Sequence, residues 1–220
     1  DEQRTLIKYL HDLGIMLTYG EEDADTHVLR PTWVTKGCYA LINSDAAKAA
    51  KGLIDRGLIN GVLEPLGYGR REQRFITEMM TRFQLAFERK EDGREKHLVV
   101  PLLPVEEPYR QDWAHPLQFE VHYKTLPKSL ISRFIFKMHG DAWDARWWRT
   151  GIFLDLDGCH ARVDADTAAG RIYIKVEGPT ERRKKALLVI RRELGGLTDA
   201  GLKPVERAPV PDHPGLTVSY

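Results

Sequence analysis

The chain has 220 residues, 42% hydrophobic and 30% charged, which is enough for one large domain or two small ones. Lys and Arg number 33 against 32 Asp and Glu, so the net charge of +1 gives no general attraction to nucleic acid or membranes. No run of about 18 apolar residues predicts a membrane span. The two distant cysteines, Cys38 and Cys159, favour a reducing, cytoplasmic location over a disulfide framework.

The first hundred residues are predicted to be mainly helical. A helix end over 5–13 is followed by short strands over 15–19 and 27–30. Pro31 then opens a helix, because proline suits the first helical turn. The apolar residues of that helix share one face, namely Trp33, Val34, Gly37, Cys38, Leu41 and Ile42.

Three further helices and a hairpin complete this part. A helix over 45–55 is predicted to have Asp45 as its N-cap, and a short helix with turns follows over 57–68. The helix over 71–85 has an apolar stripe of Phe75, Ile76, Met79, Met80 and Phe83. AFERK and KHLVV flank the turn sequence EDGRE, which predicts a β-hairpin. Helices followed by a hairpin are typical of a winged helix.

The second half is richer in strands. Strands are expected over 117–125, 147–156, 160–165 and 171–176, because apolar residues alternate there between turn residues. Pro127 precedes a helix that reaches Met138, and Pro179 precedes one that ends at Gly195-Gly196. The tail from Lys203 contains four prolines and ends in VSY without a capping element, so we expect it to continue into another segment.

Prolines 101, 104 and 108 mark the boundary between the helical first part and the strand-rich second part. The sequence therefore predicts an α+β protein with a helical, winged-helix-like subdomain over 1–108 and an antiparallel-sheet subdomain with packed helices over 109–220.

Catalytic interpretations find little support. No GxxxxGK[ST] phosphate loop is present. Carboxylates and a histidine around one turn could hold a divalent metal, but an Asp-Gly turn in a solvated hairpin accounts for them better; they are Asp155, Asp157, His160, Asp164 and Asp166. Cys38 could be a nucleophile, but its place on an apolar helix face favours core burial. No catalytic, cofactor-binding or metal residue is therefore assigned.

A DNA-binding winged helix is the main alternative. It would place Arg70, Arg71, Arg74 and Arg82 in the major groove. The acidic residues of the EDGREK turn and the neutral net charge oppose that interpretation.

Tryptophans are concentrated in the second half. Trp143, Trp147 and Trp148 follow Trp113, and aromatic residues are enriched in protein interfaces. Adjacent Trp147 and Trp148 on a strand point to opposite faces. These three, Trp143, Trp147 and Trp148, are the candidates for a dimer or interdomain surface.

Six segments in order resemble the COR domain of Roco proteins, related to the leucine-rich repeat kinases, and they span essentially the whole chain. They are LRPTWVTKGCYALINS at 29–44, MTRFQLAFE at 80–88, VVPLLP at 99–104, YKTLPKSLISRFIFKMH at 123–139, WWRTGIFL at 147–154 and IYIKVEG at 172–178. Each segment alone is a weak signal, but six at the expected spacing are specific.

The resemblance implies a role in signalling. In Roco proteins a Ras-like GTPase domain, called Roc, directly precedes COR; the first part of COR packs on the GTPase and the second part commonly dimerises. GTP or GDP and Mg²⁺ would then belong to the adjacent domain, with no cofactor, nucleic acid or membrane bound by this chain. His27, Val28, Arg30 and Trp33 fall in the segment that faces the GTPase in this family.

Overall fold

The N-terminal hairpin is the first described element of the chain. A computed structural model describes residues 16–18, 27–29, 32–91, 93–107, 109–199, 201–210 and 216–219. Strands β1 (Met16–Thr18) and β2 (His27–Leu29) pair antiparallel, as the two short predicted strands require. The helix end predicted over 5–13 lies outside the described residues.

Four helices and a three-stranded antiparallel sheet form the rest of the first half. The sheet has the order β3-β5-β4, and the winged-helix-like character of this half stays a prediction. The elements are α1 (Thr32–Asn43), α2 (Asp45–Ala49), β3 (Leu53–Asp55), α3 (Arg56–Leu63), α4 (Arg70–Arg82), β4 (Ala86–Glu91) and β5 (Arg94–Val99).

The helix predicted over 45–55 is wrong in its second half. Ser44, not Asp45, is the N-cap, since its hydroxyl accepts from the backbone of Ala47 at 3.0 Å. Gly52 has a φ of 82°, and a Cβ there would lie 2.6 Å from the Val99 carbonyl oxygen. Lys51, with a φ of 51°, ends the helix in a left-handed conformation, and Gly52 N then donates to Ala47 O at 2.9 Å. The left-handed Gly52 allows the close approach to Val99 from which the chain enters β3.

Helices α1 and α4 pack face to face in the core of the first half. Val34, Cys38 and Leu41 of α1 are buried, as their shared face predicts. Gly37 is the contact point, because a Cβ there would overlap the side chain of Ile76. The predicted stripe of α4 is buried except at its ends, where Phe83 is 47% exposed.

A seven-stranded antiparallel sheet with two helices on one face forms the second half. Its strand order is β12-β11-β6-β10-β9-β8-β7. The elements are β6 (Leu117–His122), α5 (Lys128–Met138), β7 (Ala142–Trp148), β8 (Gly151–Leu156), β9 (Cys159–Asp166), β10 (Arg171–Glu177), α6 (Thr180–Leu197), β11 (Val205–Pro209) and β12 (Thr217–Ser219).

Three boundaries in this half differ from the prediction. The strand expected over 147–156 is two strands, β7 and β8, because the chain reverses between Trp148 and Gly151. Helix α6 continues through Gly195-Gly196 because Leu194 and Leu197 are buried. The proline-containing tail supplies β11 and β12, which extend the sheet beyond β6.

The two halves share a continuous hydrophobic core. Phe87, Leu98, Val100 and Leu103 of the first half are buried in the same cluster as α5, α6 and the sheet they cover. Helices and antiparallel sheets together make the chain an α+β protein, as predicted. None of the helices in the described ranges has the length and apolar character needed to cross a membrane.

Candidate functional site

An aromatic cluster joins the two halves; we call it the joint and define it as Phe87, Phe136, His139 and Trp147. Phe87, from β4, is 2% exposed and stacks on the His139 imidazole with ring centroids 4.1 Å apart. The same ring meets Trp147 edge-on at 5.5 Å and Phe136 at 6.4 Å. One side chain of the first half is therefore enclosed by three rings of the second.

Polar contacts fix the geometry of the joint. His139 Nδ1 lies 2.6 Å from the Phe136 carbonyl oxygen, and because a carbonyl only accepts, Nδ1 carries the proton. The Arg89 guanidinium lies 5.5 Å from the Trp147 ring centroid, in cation–π range. Arg133 Nε donates to Gln84 Oε1 at 2.9 Å, which adds a hydrogen bond between α5 and the first half.

The segment between the halves lies across the back of the sheet, on the face opposite α5 and α6; we call residues 104–107 and 109–116 the strap. Arg149 donates through its backbone N to Pro104 O of the strap at 2.7 Å, and through Nε to the preceding Leu103 O at 3.2 Å. At the other end, Ala114 N and His115 N donate to one Glu177 carboxylate oxygen. The strap is held at both ends.

A bidentate ion pair holds the middle of the strap. Arg162 Nε and Nη2 donate to the two Glu107 carboxylate oxygens at 3.1 and 2.7 Å, and Nη2 also donates to Asp164. Burial lowers the pKa of Arg162, but the Glu107 hydrogen bond and the Asp164 charge outweigh it and hold that pKa above its ordinary value. The guanidinium is therefore always charged.

Phe153 of β8 is the centre of an aromatic cluster to which the strap contributes Tyr109 and Trp113. Trp113 lies parallel to the Phe153 ring at 6.3 Å, and Tyr109 meets it edge-on at 6.3 Å. Trp148 packs on the same ring at 5.6 Å. Successive side chains of β8 point to opposite faces of the sheet, so Phe153 lies on the back while Ile152 and Leu154 face the main core. The back of the sheet therefore has a second, small apolar layer.

The three tryptophans proposed for a dimer or interdomain surface lie in three different environments. Trp148 is 2% exposed and belongs to the chain's own core. Trp147 lies in the joint and contacts the first half. Trp143 is partly exposed at the edge strand, where it stacks on His160 at 3.7 Å and lies 4.4 Å from the Arg146 guanidinium.

The residues expected to face a GTPase are only partly described. His27 and Val28 lie in β2, where His27 pairs with Thr18 and Val28 with Leu17. Trp33 packs against Tyr68 at 6.1 Å and Phe75 at 5.6 Å. Arg30 lies outside the described residues. Trp33 is half-buried, so one side of its ring contacts the core and the other is exposed to solvent.

The candidate metal ligands and the candidate nucleophile have other surroundings in the described part of the chain. No group of three or more His, Cys, Asp or Glu side chains there is placed to hold a metal ion. Asp164 is engaged with Thr150 and Arg162, and burial raises the pKa of the Cys38 thiol to about 11. A thiol so rarely ionised is a poor nucleophile.

Sequence reasoning named Trp147 as an interdomain candidate but did not predict the other members of the joint or the strap. Phe87 occurs in a predicted hairpin strand and His139 after a helix end, and nothing in the sequence pattern pairs them. The signal available was the number of aromatic residues in this part of the chain, which exceeds what one sheet face needs; they are Tyr109, Trp113, Trp143, Trp147 and Trp148.

The fold and the joint define a two-part α+β domain whose halves share one hydrophobic core. Residues 1–103 match the family model "C-terminal of Roc, COR-A domain" and residues 114–220 match "C-terminal of Roc, COR-B domain". The chain belongs to the COR family of Roco proteins, which confirms the resemblance seen in its sequence and does not favour the DNA-binding alternative.

The name of one curated relative places COR directly after Roc. The chain is 22% identical over 188 residues to a Roc-COR-CHAT protease from an unknown prokaryotic organism. The match covers 80% of this chain and 17% of the relative. The chain therefore corresponds to a small part of that protein.

Proposed function

We propose that this chain couples the GTP or GDP state of an adjacent Roc GTPase to dimerisation through its second half. The name of the relative joins Roc to COR, which supports an adjacent Roc domain. GTP or GDP and Mg²⁺ would be bound by that domain, and the full-length protein would act as a GTPase in signal transduction.

The observation that carries the proposal is the shared core. Phe87 and Leu103 of the first half are 2% and 1% exposed in the cluster that also contains α5 and α6. Packed interiors are stiff, so a displacement of the first half cannot be absorbed at a loose linker. The joint and the strap thus give the coupling a physical path through the chain.

The GTPase-facing surface is proposed at the start of the first half. It comprises His27, Val28, Arg30 and Trp33. A GTPase switch segment changes its order with the γ-phosphate. If this surface binds one switch state better than the other, that difference shifts the equilibrium by about 1–3 kcal/mol, with no catalytic side chain needed in this chain.

The dimer surface is proposed on the second half. Of the three candidate tryptophans, Trp143 is the one with a partly exposed ring that is not packed against the first half, and it lies on the sheet's β7 edge. Edge strands present unpaired backbone groups that a second copy can use.

Light scattering after size-exclusion chromatography tests the proposal. The protein containing Roc and this chain is loaded with GDP or with a non-hydrolysable GTP analogue, and we expect different dimer fractions. Trp147→Ala weakens the joint and should reduce that difference while nucleotide affinity is unchanged; Trp143→Ala should lower the dimer fraction in both states. Equal dimer fractions with either nucleotide, or a monomer throughout, would overturn the proposal.

A further inference from the structure

A polar cavity of about 340 Å³ opens on the back of the sheet, beyond the end of the strap. Four strands contribute to it because their register brings charged side chains to one face: His122 lies opposite Arg171, and Glu120 lies opposite Arg207. The lining residues are Glu120, His122, Arg171, Arg207, Pro209, Leu216 and Thr217.

The Arg207 guanidinium is incompletely satisfied within the described part of the chain. Nη1 donates to Thr217 Oγ1 at 3.2 Å, but Nε is buried and has no hydrogen-bond partner. A buried charged donor without an acceptor is destabilising by more than a neutral one, so native structures rarely contain it. Arg207 therefore has hydrogen-bonding capacity that its described neighbours do not use.

The carboxylate nearest to Arg207 along the sheet is already engaged. Glu120 Oε2 lies 2.6 Å from His122 Nε2, so the glutamate is committed to the imidazole. Arg171 is exposed and makes no ion pair with any described residue. The cavity thus has two guanidinium groups against one carboxylate, a positive excess in a protein of net charge +1.

We propose that this cavity binds a phosphate group between Arg171 and Arg207. One guanidinium group can donate to both oxygens of a planar carboxylate. Arg171 and Arg207 lie on the strands at either side of β6, and their two guanidinium groups together can donate to more of the oxygens of a tetrahedral phosphate dianion. The Thr217 hydroxyl offers a further donor once Arg207 turns toward the anion. This site is independent of the coupling function proposed above.

Titration of the chain with inorganic phosphate at constant ionic strength tests the site. Binding is followed by the width of the phosphate phosphorus NMR line, with acetate as the planar competitor. We expect Arg171→Gln and Arg207→Gln each to weaken binding by about tenfold or more, the loss of a charge-assisted hydrogen bond. Arg192→Gln, at an exposed arginine paired with Glu193 on α6, should leave affinity unchanged.

The outcomes are distinct. Arg171 is exposed, so Arg171→Gln is expected to fold even if Arg207→Gln does not. Phosphoserine that binds more tightly than inorganic phosphate would identify an esterified phosphate as the ligand, and equal affinity would identify the free ion; either supports the site. No phosphate binding, binding that acetate displaces as well as phosphate does, or an affinity indifferent to Arg171→Gln would overturn it.

Discussion

The indole of Trp148 occupies the space beside the α-carbon of Gly151, its antiparallel partner across the turn between β7 and β8. A Cβ at position 151 would overlap that indole and lie 2.5 Å from Val163 O. Two residues, Arg149 and Thr150, form the turn, and Thr150 Oγ1 donates to Asp164 at 3.1 Å. The tight reversal and the buried tryptophan therefore depend on the same glycine.

Gly151→Ala should destabilise the chain by about 1–3 kcal/mol, because overpacking forces the Trp148 ring or the strand to move. Urea unfolding followed by tryptophan fluorescence measures this. Gly140→Ala is the matched control, since a Cβ there meets nothing within 4 Å. Equal stability of the two variants would contradict the packing described.

Phe87→Ala should lower the free energy of unfolding by about 3–5 kcal/mol, because it leaves a cavity among His139, Trp147 and Phe136. Phe83→Ala provides the control at an aromatic residue that is 47% exposed, and its loss of unfolding free energy should be smaller.

Calorimetry should also show whether the halves unfold together: the shared core predicts one transition for the unsubstituted chain.

Glu107→Ala should loosen the strap and cost about 1–3 kcal/mol, because Arg162 then keeps a partly buried charge with only Asp164 as partner. Hydrogen exchange of the strap amides, read by mass spectrometry, should speed up. The exposed neighbour Glu106 allows Glu106→Ala as control, for which exchange should stay slow. Unchanged exchange in both variants would show that the aromatic contacts alone hold the strap.

His97 should make the first half sensitive to acid. Burial lowers the pKa of His97 below its usual 6.5, although the Glu88 and Glu95 carboxylates oppose that shift. Because the pKa of His97 is lower in the folded chain than in the unfolded chain, the contribution of His97 to the free energy of unfolding is present above pH 6.5. That contribution is lost as the pH falls toward the pKa of His97 in the folded chain. His97→Gln should therefore flatten the fall in stability between about pH 7 and pH 5.

Urea denaturation of both proteins across that range gives the difference curve. His115→Gln, on the strap, serves as the control at an exposed histidine and should leave the curve as it is. A steeper fall in the His97 variant would mean that the glutamates dominate over burial.

Both thiols should be unreactive in the folded chain. The pKa of Cys38 is raised to about 11 by burial, so on the order of one thiol in a thousand is ionised near pH 8. Burial also raises the pKa of Cys159. Iodoacetamide labelling should be slow before unfolding and fast in urea, and Cys159→Ser separates the two sites. Rapid labelling of Cys38 in the folded chain would reopen its nucleophilic interpretation.

The sequence predicted most elements correctly because hydrophobic periodicity is local. The shared face of α1, the AFERK and KHLVV strands and α5 all follow from spacing within a dozen residues. Errors fall where distant packing overrides a local signal. Gly195-Gly196 looked like a helix end, but α6 continues because Leu197 is buried against the rest of the second half.

Composition, periodicity and the order of six segments were enough to establish an α+β chain of the COR family without a phosphate loop. The tertiary structure alone decided the sheet order, the burial of Trp148, the Phe87–His139 stack and the presence of Arg171 and Arg207 in the lining of one cavity. Each of these brings together residues far apart in the chain, and local propensity contains no information about which distant side chains will share a core or a cavity.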